Sequence, residues 1–146
     1  MLKHIEQKKL PYSAAQMYAL VADVANYKHF VPWCIASRVN RWEGDAIFYA
    51  DLVIGYKMIR ERFSSKVMLT ESEHISIEYL HGPLQHLQNH WRFIPEPDGG
   101  CTIDFKVEFE FKNSVLQGLA QVFFQEVVKR MVSAFEARAN ELYGER

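Results

Sequence analysis

Cysteine is nearly missing from this 146-residue chain, with only Cys34 and Cys101 present. The opening MLKHIEQKKL sets Lys3, His4, Glu6, Lys8 and Lys9 where a leader would need an apolar run. No secretory or organellar address is expected, and with none, two free thiols are expected rather than a structural disulfide. Glycine (7) and proline (5) are scarce, and there is no linker, no repeat and no Gly-rich phosphate loop. No charge dominates. Lys plus Arg number 17 against 18 Asp plus Glu, a net charge of -1, which removes the general attraction of nucleic-acid binders and leaves room only for a local basic patch. No long hydrophobic run exists either. Val115 to Phe124 is broken by Gln117 and Gln121 and followed by Gln125, Glu126, Lys129 and Arg130, short of the roughly 20 apolar residues of a membrane span.

What is abundant is apolar and aromatic surface. Hydrophobic residues make up 49% and aromatics 14%, with 10 Phe, 7 Tyr and 3 Trp, which excludes disorder and suits one domain over residues 1–146. The pattern predicts a short strand over Lys3 to Leu10, broken by Pro11. Ser13 and Gln16 then form a capping box, and a helix carries Met17, Tyr18, Leu20 and Val21. A second short helix ends by His29 or Phe30, since Pro32 biases Val31 away from helical geometry. From Trp33 to Phe111 the period is 2, with turns at Glu43-Gly44-Asp45, Gly82-Pro83 and Pro95 to Gly100. The clearest strand alternates Cys101, Ile103, Phe105, Val107, Phe109 and Phe111 with Thr102, Asp104, Lys106, Glu108 and Glu110. Weaker alternation runs through Phe48 to Tyr56, Ile75 to Tyr79 and Leu87 to Phe93. After Asn113, Ser114 and Gln117 predict a second capping box, opening a helix of about eight turns along Leu116, Leu119, Phe123, Val127, Met131, Phe135, Ala139 and Leu142. Only a curved antiparallel sheet wrapped around it would cover that stripe, which gives an α+β fold of sheet on helix.

Such a grip leaves the aromatics two uses, solid core or the walls of a ligand cavity. Gly118 bears on the choice, because a mid-helix glycine costs about 1 kcal/mol relative to Ala. It reads either as a tunnel mouth or partner-facing surface, or as packing under the Phe30 to Trp33 loop. Glu61 falls in phase with Phe63 and Val67, and Asn89 with Leu87, Trp91 and Phe93. A regular strand turns both inward, where the amide would hydrogen-bond a ligand carbonyl and the carboxylate is a candidate base; a bulge turns either outward. Catalytic constellations are sparse. His86 and His90 have a spacing that converges on a metal from a helix, but on a strand they stand about 13 Å apart. His81 and His86 flank a turn with no third ligand in view. No metal site and no catalytic residue are assigned.

Taken together, Tyr12-Ser13-Ala14, Leu20-Val21-Ala22-Asp23-Val24, Tyr27, Phe30-Val31-Pro32-Trp33-Cys34, Ala50 to Tyr56, Arg60-Glu61-Arg62-Phe63, Gly82-Pro83-Leu84, Leu87, Asn89, Trp91-Arg92-Phe93 and Phe135 to Ala139 resemble the coenzyme Q-binding START-type proteins of the polyketide cyclase and lipid-transport superfamily. The resemblance runs over essentially the whole chain, without a large insertion. It implies a helix-grip fold with a hydrophobic tunnel, and a non-enzymatic lipid chaperone that holds ubiquinone as its ligand, without other cofactors, and supports respiratory electron transport. Similar bacterial sequences are ribosome-association toxins that act on the large ribosomal subunit, which is the alternative function. The lack of an organellar presequence favours a bacterial, cytoplasmic protein with transient contact on the inner-membrane surface, and direct DNA binding is not expected.

Strand phase and the motif together nominate the ligand contacts. Phe30, Val31, Pro32 and Trp33 are expected to form a movable lip over the first turns of the long helix near Leu119 and Phe123. Tyr56, Trp91, Phe105 and Phe109 are expected along the tunnel, with Asn89 and Val107 on the same inward face.

Overall fold

Local chemistry sets the first element boundaries. Pro11 follows strand β1 (Leu2–Leu10), and Ser13 caps helix α1 (Ala14–Ala22) by accepting the Gln16 N–H at 3.1 Å, while Gln16 accepts the Ser13 N–H at 3.0 Å. This is the expected reciprocal box. A short 3₁₀ helix (Val24–His29) follows, then strands β2 (Cys34–Glu43), β3 (Ile47–Tyr56), β4 (Ile59–Thr70), β5 (His74–His81), β6 (Leu84–Pro95) and β7 (Cys101–Phe111), and helix α2 (Ser114–Tyr143). The computed structural model describes residues 1–56 and 59–144.

The start of α2 differs from expectation. Asn113, not Ser114, is the cap: its Oδ1 accepts the N–H groups of Val115 at 2.8 Å and Leu116 at 3.2 Å. Gln117 is thereby freed from a capping box and accepts the Phe111 N–H at 2.8 Å, tying the helix to the end of β7.

The seven strands form one antiparallel sheet in the order β1-β7-β6-β5-β4-β3-β2. Strands β2 to β7 are a meander, and β1 joins beside β7 along its full length, Leu2 opposite Phe109 through Leu10 opposite Cys101. Irregular register at Cys34/Ala36, Val39/Arg41, Ser64/Ser65 and Leu84/His86 adds bend and twist. The sheet curls around α2 with its apolar face inward.

That concave face divides along its length. Toward the C-terminal half of α2 it is solid: Trp91 meets Phe105 at 4.5 Å and Phe135 at 5.3 Å between ring centres, and Tyr27 and Phe30 close on Phe135 at 5.4 and 5.2 Å. Met17, Leu20, Val21, Phe93, Ile103 and Ala139 complete this cluster. Burying each such side chain stabilises the fold by about 1.5 to 3 kcal/mol. Toward the N-terminal half of α2 the packing opens.

Candidate functional site

The opening is a cavity of about 250 Å³ between the sheet and the first turns of α2, close to the lower end of the roughly 300 to 1,000 Å³ range of ligand pockets. Ile54 and Tyr56 of β3, Ile59 and Phe63 of β4, Leu84 and Leu87 of β6, and Phe109 and Phe111 of β7 supply the sheet wall. Leu119, Ala120, Phe123, Phe124 and Val127 supply the helix wall, and Trp33 the rim. None of these side chains carries a charge. The rim is a line of rings, Trp33 to Tyr56 at 5.4 Å and Tyr56 to Phe123 at 5.6 Å, with the Tyr56 hydroxyl donating outward to Glu126 at 3.2 Å. Water gains little in such a space, so apolar ligand surface is what fits it.

Five of the nominated residues, Trp33, Tyr56, Phe109, Leu119 and Phe123, meet around this cavity. The others lie elsewhere. Trp91 and Phe105 belong to the solid cluster, because strand phase sets which face a residue occupies but not which end of the grip it reaches. Val107 sits between the two regions, opposite Asn89. Phe30 is anchored on Phe135 and Tyr27, with the Arg138 guanidinium 5.3 Å above its ring, and Val31 packs beside it against the core. Pro32 borders a shallow outer depression with Glu126, Lys129 and Arg130. The nominated lip therefore reduces to Trp33 at the rim. The wall residues Ile59, Phe63, Leu84, Phe111, Phe124 and Val127 were not nominated. The clear alternation of β7 could have located Phe111, which is in phase with Phe109 and lies opposite Leu84.

Gly118 is exposed, and a Cβ built there would meet nothing within 4 Å. Packing under the Phe30 to Trp33 loop is thus ruled out. On the same stretch of helix Val115 is 69% and Val122 73% exposed, so apolar side chains stand open to solvent on the outer face above the cavity. Glu61 pairs with Ile54 in unbroken register and lies on the concave face, half-buried and outside the cavity wall.

The cysteines and histidines lie outside the cavity wall. Cys34 and Cys101 are free and buried; burial pushes the Cys34 thiol up, and burial with nearby Glu96 pushes Cys101 to about 11. His86 faces Glu108 at 3.7 Å, and His90 stacks on His74 at 5.5 Å. Burial, Arg92 and His90 hold His74 below the usual imidazole value. Among the described residues no cluster of three or more His, Cys, Asp or Glu could hold a metal ion, and no helix is long and apolar enough to cross a membrane.

A family model described as polyketide cyclase / dehydrase and lipid transport matches residues 10–136. The chain belongs to this lipid-transport family. Within it, the chain is 42% identical over 98% of its length to the mitochondrial coenzyme Q-binding protein COQ10 homolog B of Xenopus laevis, spanning 60% of that protein. It is 35% identical over 94% of its length to the ribosome association toxin RatA of Escherichia coli, covering 86% of it. A solved 18 kDa protein from Caulobacter crescentus is 33% identical with a TM-score of 0.81, over 99% of this chain and all (100%) of that one. A START superfamily protein from Mycobacterium smegmatis shares the helix-grip fold at 15% identity and a TM-score of 0.82, over 96% of this chain and 98% of that one. So does a Streptomyces aromatase/cyclase at 13% identity and a TM-score of 0.82, over 95% of this chain and 93% of that one. The lipid-transport fold therefore hosts both binding proteins and enzymes.

Proposed function

We propose that this protein is a non-enzymatic chaperone for a polyprenyl quinone of the ubiquinone class, holding part of the molecule in the cavity and serving respiratory electron transport. The observation that carries the reading is the composition of the cavity wall: among the described residues it comprises fourteen side chains, all aliphatic or aromatic, with no carboxylate, imidazole or thiol among them. The one ionisable group among these fourteen side chains is the Tyr56 phenol, which is turned outward to Glu126. The wall has much to offer hydrocarbon, since each buried CH₂ contributes about 0.8 kcal/mol, or about 4 kcal/mol for each five-carbon isoprene unit. One or two units beside the ring give useful affinity, and the rest of a long tail stays outside. The similarity to a coenzyme Q-binding protein supports the choice of ligand.

Transfer from a membrane needs an apolar surface beside the opening. Val115 and Val122, exposed on the outer face of the first turns of α2, supply one, which supports transient contact with a bilayer surface. The test is native mass spectrometry with lipid extraction after expression in a quinone-producing host. Co-purified ubiquinone that is lost when Phe109 is replaced by Asp, with the fold retained by circular dichroism, is the expected result. A ligand-free protein that sediments with large ribosomal subunits would overturn it.

One observation favours that second reading. Strand register gathers Arg38, Arg41, Arg60, Arg62 and Lys66 on the convex face of β2 to β4, against Glu43 and Asp51, so a local basic face exists despite the near-zero net charge. The 35% identity to a ribosome association toxin points the same way. An enzyme reading would place Glu61 as a base; under the chaperone reading Glu61→Gln leaves quinone retention unchanged.

A further inference from the structure

The register of the sheet defines a single row of inward side chains just beyond the cavity wall: His4, Val107, Asn89, Ile77, Val67 and Phe48. One rung nearer the rim, Leu87 and Phe109 are cavity wall. One rung deeper, Trp91 and Phe105 are packed core. Asn89 therefore stands one rung beyond the cavity wall, at the boundary between open space and solid packing.

Its amide is out of place there. Three inward polar side chains on β1 and β2 have partners: Ser37 bonds the Ala25 carbonyl and the Lys28 N–H, His4 meets Glu6, and Lys8 pairs with Glu136. Asn89 Oδ1 is buried with no partner. A buried unpaired amide oxygen costs about 1 to 3 kcal/mol. An ordered water is a poor remedy, since it needs two to four polar partners, and the neighbouring rungs are Val107, Ile77, Leu87 and Trp91.

We propose that Asn89 is the polar anchor for the ligand's head, so that a quinone or quinol ring enters first and the isoprenoid tail leads out past Tyr56 and Trp33. This rests on the quinone reading above and adds the orientation and the residue that sets it. The amide carries both an acceptor and donors, so it serves a ring hydroxyl through Oδ1 and a ring carbonyl through Nδ2. A wholly hydrocarbon ligand leaves Asn89 as costly as it is in the empty cavity. The site therefore selects an apolar molecule with an oxygen-bearing end.

The experiment titrates wild type and Asn89→Leu with decylubiquinone and with decylbenzene, the same alkyl chain on a ring without oxygen, following tryptophan fluorescence and calorimetry. Asn89→Leu is expected to melt at or above the wild-type temperature, because it removes an unpaired buried amide, and to lose about tenfold in affinity for decylubiquinone while keeping that for decylbenzene. Asn89→Val is the second variant should leucine overpack. In a Trp33→Phe, Trp42→Phe protein the remaining Trp91 lies one inward position beyond Asn89 on β6, and a quinone ring bound head-first quenches it. Unchanged decylubiquinone affinity in folded Asn89→Leu and Asn89→Val, or an unquenched Trp91 with quinone bound, overturns the anchor and leaves the chaperone reading standing. A wild type that binds decylbenzene but not decylubiquinone overturns the anchor as well; one that binds neither overturns the chaperone reading, and the anchor with it.

Discussion

Trp33 holds a backbone conformation that side chains other than glycine rarely adopt, with φ of 56°, at a cost of about 1 to 2 kcal/mol. It is held there from both sides: its carbonyl accepts the Gly55 N–H at 2.8 Å, and the Cys34 N–H reaches back to Val31 at 3.2 Å. The result sets the indole on Tyr56 at the cavity rim. Trp33→Gly is expected to relieve the backbone while losing the ring contact, leaving stability within about 1 kcal/mol of wild type. Ligand dissociation, followed by stopped-flow transfer to vesicles, should accelerate at least several-fold; an unchanged rate would mean the rim is elsewhere. Asp51 is a second residue-scale case. Burial alone would raise its carboxyl, but hydrogen bonds from Ser64, Arg62 and Asn40 and the Arg62 charge prevail and hold it at about 2 instead of 3.8. Its stabilising contribution is thus complete above pH 3.8 and lost as pH falls toward 2. Asp51→Asn should cost about 1 to 2 kcal/mol at neutral pH and flatten the acid limb of the stability curve, as read by denaturant midpoints across pH. Trp33 was nominated for the lip, but neither its backbone conformation nor the Asp51 cluster was legible in advance. A positive φ at a tryptophan has no sequence signal, and the Asp51 cluster depends on a register that pairs Asp51 with both Arg38 and Ser64.

At the scale of elements, α2 is two helices in function. Phe135 and Ala139 of its C-terminal half belong to the core cluster, while Leu119, Ala120 and Phe123 of its N-terminal half look into open space. Helical propensity therefore matters more for the first half, and that is where Gly118 lies. Since a Cβ at Gly118 meets nothing within 4 Å, Gly118→Ala is expected to stabilise the ligand-free protein by about 1 kcal/mol. Hydrogen exchange over residues 115–124 should slow most, because that half opens with least loss of packing. If the glycine serves to let this segment bend away, ligand uptake slows in the same variant; unaltered stability would show that the segment is already held by other contacts. The element order itself was legible, because the switches from period 2 to period 3.6 at Leu10 and Asn113 are long-range patterns that tertiary context does not override. The cap of α2 was not. Ser114 and Asn113 are both good capping residues, and which one takes the role depends on where β7 ends.

For the whole molecule, the near-zero net charge conceals segregation. The convex face of β2 to β4 gathers Arg38, Arg41, Arg60, Arg62 and Lys66, with Asp51 shared by two of the guanidiniums and Arg41 lying 3.8 Å over the Tyr49 ring. The balancing acids lie partly on α2 and β7, among them Glu126, Glu136, Asp104, Glu108 and Glu110. Composition averages these faces, so no count of charges could reveal the patch; it required the register that aligns three strands. The cavity, by contrast, is uncharged and lies on the opposite side of the same sheet. The two candidate functions are thereby separable in one molecule. Arg38→Glu, Arg41→Glu and Arg60→Glu together leave the Arg62 to Asp51 bond in place and should leave the melting temperature within a few degrees of wild type, since surface pairs contribute about 0 to 1 kcal/mol each. Under the chaperone reading this triple variant retains its co-purified quinone in full, because no wall residue has changed. Under the ribosome reading it loses subunit association in a low-salt gradient, and wild-type binding falls steeply with added salt as phosphate contacts are screened. A variant that lost the quinone without unfolding would show that ligand loading passes through an anionic surface, and would tie the basic face to the cavity as two parts of one transfer route.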